Sequence, residues 1–283
     1  MRTLEGKVAV ITGAGSGIGR ALAFELCRTG CKVALCDINP QNLQETAELL
    51  PENSQYFIKD IDCANQEQVK AFASEASSYF GQIDILINNA GVSLTHSVTE
   101  GSIEEMEWLI NINFWGVVYG TKAFLPHLQT RDEAHIVNVG SVFGVMAAPN
   151  QAAYCASKFA VRGFTESLSQ ELRHSNINVS CAYPGGIKTN LIRNSRFHED
   201  STNLRDREEA AEKFEELATT TPERAAQVII NGILNKRQRI LIGSDSRFID
   251  WIVRLFPGTY DYFLNKTSDN WCKDSRESHK AAC

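Results

Sequence analysis

A β-branched run that breaks into a glycine turn and then into a helix constrains this chain more than anything else in it. Lys7-Val8-Ala9-Val10-Ile11-Thr12 suits a short buried strand, Gly13-Ala14-Gly15-Ser16-Gly17-Ile18-Gly19 follows, and Leu22, Ala23 and Leu26 then recur at helical spacing. Strand, glycine turn and helix in that order aim the helix's free N–H groups and its positive dipole end at one spot, which suits a pyrophosphate. The glycines fit G-x-x-x-G-x-G (Gly13, Gly17, Gly19) and not the commoner G-x-G-x-x-G, because position 18 is Ile. Glycine patterns also occur in ordinary turns. The strand before and the helix after are what point this one to phosphate binding.

The rest of the chain keeps the alternation. Patterning predicts strands at 8–12, 32–36, 55–59, 83–88, 135–139, 178–183 and 239–242, and helices at 18–29, 41–50, 66–80, 103–128, 152–174 and 222–235. Strands separated by helices are the signature of an α/β fold built on a doubly wound parallel sheet, here of about seven strands. With 283 residues the chain is long enough for one such domain, expected over 1–243, and it contains no internal repeat or linker. Two regions stand outside the pattern: a charged, loop-rich segment at 190–221 and the tail at 244–283.

Asp37 closes the second predicted strand. A carboxylate there can accept hydrogen bonds from both hydroxyls of an adenosine ribose and would repel a 2′-phosphate. Ile38 and Asn39 offer no compensating cation, which favours NAD over NADP. The same Asp also suits the turn before Pro40, and both roles can hold at once.

Tyr154 and Lys158 stand four residues apart in a predicted helix, and so share one face of it. A tyrosine in water titrates near pH ~10 and is a poor acid or base at neutrality. A positive charge at about 4 Å, with an effective dielectric of about 20, favours the phenolate by roughly 4 kcal/mol before screening. That predicts a phenol brought towards neutral pH. Alone, Tyr-x-x-x-Lys is weak evidence, since a lysine stem beside a half-buried ring is common.

Together the motifs carry a resemblance. Thr12-Gly-Ala-Gly-Ser-Gly-Ile-Gly19, Asn88-Asn89-Ala90-Gly91, Ser141, Tyr154-x-x-x-Lys158 and Pro184-Gly185 occur in the order and at about the spacing of the short-chain dehydrogenase/reductase family, from about residue 7 to 243. The resemblance implies a Rossmann-type domain, hydride transfer to or from a nicotinamide, and a homodimer or homotetramer. It gives Ser141 the role of holding the substrate oxygen beside Tyr154, although a serine there also suits a turn. It gives Lys158 a second role on the nicotinamide ribose. Asn113, chosen over Asn111 by its spacing to Gly116, is expected to bend its helix and hold a water that touches the lysine. By the same resemblance, Asn88, Ala90 and Gly91 line the cleft near the adenosine ribose and steady the sheet. Asp60 and Ile61 meet the adenine, with Asp62 as a neighbouring choice for the acid. Pro184 and Gly185 open the cofactor-binding loop after the sixth strand, in which the backbone of Ile187 and the hydroxyl of Thr189 hold the carboxamide. The cofactor-binding set is thus Gly13, Ser16, Gly17, Ile18, Gly19, Asp37, Asp60, Ile61, Asn88, Ala90, Gly91, Tyr154, Lys158, Pro184, Gly185, Ile187 and Thr189, and the catalytic set Asn113, Ser141, Tyr154 and Lys158.

Composition narrows the remaining classes. A net charge of −6 argues against a nucleic-acid surface. The eight cysteines form no C-x-x-C pair, so neither a metal site nor a disulfide framework is expected. The first strand begins too early for a leader peptide, and no apolar run approaches the roughly 20 residues of a membrane span, so a cytoplasmic location is expected. The competing reading is a non-catalytic NAD(H)-binding sensor or assembly subunit, a class that typically loses Ser, Tyr or Lys. All three are present here.

Substrate recognition is assigned to 190–221 as a flap, with Leu191, Ile192, Phe197, Leu204 and Phe214, and to Val142, Phe143, Val145 and Met146 as pocket wall. These favour an apolar or lipid-like alcohol or ketone; Arg193 and Arg196 are the cations that could reach a substrate carboxylate. Past residue 243, Phe248, Ile249, Ile252, Val253 and Phe256 fall on one helical face beside Trp251 and Leu255, and Tyr260, Tyr262, Phe263 and Leu264 follow. That face is expected to pack within the subunit or on a partner, to cap the pocket, or to rest on a membrane.

Overall fold

The computed structural model describes residues 1, 3–197 and 207–262. Chain order is β1 (Val8–Thr12), α1 (Gly17–Arg28), β2 (Lys32–Asp37), α2 (Pro40–Glu48), β3 (Tyr56–Asp60), α3 (Gln66–Phe80), β4 (Ile85–Asn88), β5 (Leu94–Thr95), α4 (Ile103–Ile110), a π-helical turn (Asn111–Trp115), α5 (Gly116–Gln129), β6 (Ala134–Val139), a 3-10 turn (Val142–Gly144), α6 (Ala152–Glu171), β7 (Ile177–Pro184), β8 (Arg196–Phe197), α7 (Arg207–Leu217), α8 (Pro222–Leu234), β9 (Arg239–Ile242) and α9 (Ser244–Leu255).

Seven strands form one parallel sheet in the order β3-β2-β1-β4-β6-β7-β9. β1, β4 and β6 are buried along their whole length, as the central strands of a parallel sheet are when helices cover both faces. On one face Leu22 and Leu26 of α1 and Ile229 and Ile233 of α8 pack over Ala9, Ile11, Val33 and Leu35. On the other, Val69 and Phe72 of α3, Phe124 of α5 and Leu168 of α6 pack over Val8, Val10, Leu86 and Ile136. The chain leaves β1 towards β2 on one side and enters β4 on the other, so the loops at their carboxyl ends diverge and open a crevice. The opposite edge is closed by Asp84, fully buried, which accepts from the Val8 N–H at 2.9 Å and pairs with Lys7 and Arg131.

Four features differ from the sequence expectation. The single helix predicted over 103–128 is two helices joined by the π turn at Asn111–Trp115. Segment 190–221 is not only loop: it carries β8, which pairs in parallel with β5, and α7. β4 begins at Ile85, because Asp84 turns to bind β1. The apolar face of α9 is divided: Ile252 is buried, whereas Phe248, Trp251, Leu255 and Phe256 are exposed. Leu204, Phe263, Leu264, Cys272 and Cys283 lie outside the described residues. Among the described residues, no helix is long and apolar enough to cross a membrane.

Candidate active site

The crevice is a cleft of about 410 Å³. One end is made by the glycine loop. Gly19 has to be glycine, since a Cβ there would lie 2.1 Å from the Gly13 carbonyl oxygen. α1 starts at Gly17, and its N-cap Ser16 makes no side-chain cap bond, which leaves the first-turn N–H groups to the cleft. Gly13, Ser16, Gly17 and Ile18 line the cleft, and Gly19 is buried beneath them. Asp37 lines it too; its carboxylate accepts from the N–H of Gly15 at 2.8 Å and of Asn39 at 2.9 Å. The nearby cation, Arg20, is committed elsewhere: it donates to the Gly15 and Asn42 carbonyls and to Thr46, and it pairs with Glu45.

The loop after β4 is tied to β1. Thr12 Oγ1 accepts from the N–H groups of Asn89 and Ala90, and the Asn89 side chain donates to the Thr12 and Gly13 carbonyls. Ala90 and Gly91 therefore line the cleft. Asn88 does not. It points into the sheet, donating to Asn138 at 2.8 Å, to Thr121 and to the Val117 carbonyl. Asp60 is exposed at the end of β3, in register with Asp37, and Ile61 is buried and donates its N–H to the Asp37 carbonyl; neither lines the cleft.

Ser141, Tyr154 and Lys158 share the other end of the cleft. Ser141 caps the 3-10 turn, accepting from the Phe143 N–H at 3.2 Å. That turn sits directly on α6: a Cβ on Gly144 would lie 2.7 Å from the Lys158 carbonyl oxygen. The close approach brings Ser141 against Tyr154. Burial raises the phenol's pKa to about 12, while a hydrogen bond with Ser141 pulls it the other way. The lowering expected from Lys158 is not found. The ammonium donates to the Val139 carbonyl at 3.1 Å and lies 5.7 Å from the centre of the phenol ring. Burial instead lowers Lys158 itself to about 8.

Asn113 is fully buried in the π turn and Asn111 is exposed. The Asn113 amide accepts from the Val92 N–H at 2.8 Å and donates to the Val92 carbonyl and to Ser157. Its side chain therefore ties the loop after β4 to α6. Asn113 Oδ1 and Lys158 Nζ both face Gly91.

From the end of β7 onward, Pro184, Gly185, Ile187 and Thr189 line the cleft, with Asn190, Leu191, Asn194 and Phe214 beyond them. Of the expected wall after Ser141, only Phe143 flanks the phenol, edge-on to Tyr154 at 6.0 Å; Val142 and Val145 are buried, the latter against Cys181 and Tyr183. Both arginines have partners. Arg193 pairs with Glu208 and Glu215, and Arg196 stacks on Trp108 at 3.8 Å. Asn194 and Asn42 were missed by sequence reasoning and carry no local signal. Phe214 is among the expected flap residues, but the helix that carries it is not expected, although Arg207–Leu217 is rich in Glu and Ala.

The family model described as short chain dehydrogenase matches residues 7–200. This chain belongs to the short-chain dehydrogenase family. As a short-chain dehydrogenase it is an oxidoreductase with a nicotinamide cofactor site. It is 42% identical over 265 residues to SadH of Mycobacterium tuberculosis, covering 92% of this chain and 94% of that one. It is 32% identical over 262 residues to human estradiol 17-beta-dehydrogenase 11, covering 90% and 81%. A short-chain dehydrogenase/reductase from Burkholderia phymatum, solved in complex with NAD, superimposes with a TM-score of 0.81 at 29% identity, covering 94% of this chain and 97% of that chain.

Proposed function

We propose that this short-chain dehydrogenase interconverts a secondary alcohol and a ketone, prefers NAD(H), and uses Tyr154 as its acid and base. The observation that supports this most is that Ser141, Tyr154 and Lys158 line the same cleft as the glycine loop. The cleft fits a dinucleotide: uncapped N–H groups at the start of α1 suit a pyrophosphate, and Asp37 suits a ribose diol. Gly13, Ser16, Gly17, Ile18, Asp37, Ala90 and Gly91 would hold the adenosine and pyrophosphate part. Lys158, Pro184, Gly185, Ile187 and Thr189 would hold the nicotinamide part. When bound, the nicotinamide supplies the carbon that gives or takes the hydride. Asp37 without a free cation beside it supports NAD over NADP, since Arg20 is already engaged.

Ser141 holds the substrate oxygen next to the phenol, so that oxygen and proton donor meet in a fixed geometry. A phenol kept neutral by burial is ready to act as an acid. In reduction, Tyr154 gives its proton to the oxygen of the carbonyl as the carbon takes hydride. In oxidation it must first be deprotonated, and it then takes the alcohol proton as hydride leaves. Oxidation should therefore rise with pH while reduction does not.

An apolar or lipid-like substrate is supported by Leu191 and Phe214 in the cleft, by Phe143 beside Tyr154, and by the pairing of Arg193 with Glu208 and Glu215. Assembly into dimers or tetramers belongs to the same reading, with exposed Trp115 and Phe159 available to be covered. The test is NADH absorbance with a panel of alcohols and ketones, alongside Tyr154→Phe. That variant should keep its fold and its NADH affinity while losing most turnover. Turnover within about tenfold of the parent would remove Tyr154 from its role.

A further inference from the structure

We propose that Asp245, in the first turn of α9, is a positioning residue for the nicotinamide end of the cofactor site; this rests on the dinucleotide reading above. The Gly186 N–H donates to Asp245 Oδ2 at 2.6 Å. The next residue, Ser246, donates from Oγ to the Tyr183 carbonyl at 2.7 Å. The first turn of α9 thus offers an acceptor and a donor on either side of Pro184 and Gly185, both of which line the cleft. The loop is moulded on the carboxylate, since a Cβ on Gly185 would lie 2.1 Å from Asp245 Oδ2. From the other side the Lys188 N–H donates to the Thr220 carbonyl at 2.9 Å, so the segment from Gly185 to Lys188 is held between the end of 190–221 and the start of α9.

Helix capping alone is a poor account of this acid. Asp245 Oδ1 is buried and has no hydrogen-bond partner among the described residues. Keeping a charged oxygen from water costs stability, whereas an exposed first-turn acid would favour the helix dipole without that cost. The burial makes sense if the carboxylate is there to fix Gly186, and through it the main chain of Gly185 and Ile187.

The test separates the two ends of the cofactor. Affinities for NADH and for ADP-ribose, which lacks the nicotinamide ring, are measured by calorimetry on the parent, Asp245→Ala, Asp245→Ser and Asp245→Asn. Ala and Ser should weaken NADH about tenfold, the loss of one charge-assisted hydrogen bond, and leave ADP-ribose within about twofold. Asn keeps an oxygen that can accept from Gly186 and should restore NADH to within about threefold. If Asp245→Ala does not fold, Asp245→Ser is read by the same two affinities, and failure of both to fold overturns the proposal. Parental NADH affinity in the Ala and Ser variants overturns it, as does equal weakening of both ligands, which would mark a general loosening. A parent that binds neither ligand overturns the dinucleotide reading together with this one.

Discussion

An ammonium as deeply buried as that of Lys158 costs stability, and the pH at which the cost disappears is measurable. Burial lowers its pKa from 10.5 to about 8. Between those values the unfolded chain holds a proton that the folded chain lacks, so this residue makes stability rise with pH there. Below about 8 both states hold the proton and the full cost, roughly 3 kcal/mol, is present. Thermal melts of the parent and Lys158→Met should therefore show the parent gaining on the variant from about pH 8 to about pH 10. A constant gap would mean that Lys158 does not titrate in that window. At the adenosine end, Asp37→Ser with Ile38→Arg should move preference from NAD towards NADP, by removing one repulsive charge and adding a phosphate partner. A parent that already prefers NADP would sink the argument from Asp37. That Ser141, Tyr154 and Lys158 share one cleft was legible from their order and spacing. The direction of the phenol's shift was not, because it depends on burial and on where the ammonium points, and neither is written in a four-residue spacing.

At the scale of elements, the major strands and helices were legible from period and length, and the short or irregular pieces were not. β5 and β8 have two residues each, too few to show alternation. A π turn adds a residue to the helical ladder, and its only trace in the sequence is an Asn where helices disfavour one. Two of these pieces lie close in the chain to residues that line the cleft, since Val92 precedes β5 and Asn194 precedes β8. β8 pairs with β5, and Arg196 stacks on Trp108, so the start of 190–221 is pinned to the body of the domain. A stack of this kind contributes about 0.5–2 kcal/mol. Arg196→Ala should therefore raise KM for the alcohol or ketone several-fold and leave NADH affinity unchanged. Steady-state kinetics with each substrate varied in turn would decide it, and an equal rise in both KM values would show that the clamp steadies the whole cleft.

For the molecule as a whole, α9 is joined to the sheet by more than contact of apolar surface. Arg239 pairs with Asp250 at 2.5 Å and stacks on Tyr183, Ile252 is buried, and the Tyr260 hydroxyl accepts from the Ala147 N–H. Truncation after Gly243 should therefore lower Tm and weaken NADH binding together, as read by scanning calorimetry and ligand titration. A truncated protein with parental values for both would mean that α9 rests on the domain without supporting it. The strand order has a consequence for synthesis. β1 is made first yet lies inside the sheet, and its partner on one side, β4, starts only at Ile85. At about 5–20 residues per second, the roughly 75 residues between them take some 4–15 s to emerge from the ribosome. For that interval Val8–Thr12, an uncharged β-branched strand, has one edge with no partner yet made. Yield of soluble protein should then depend on how fast the chain is translated and how warm the cell is, even for variants whose finished fold is as stable as the parent's.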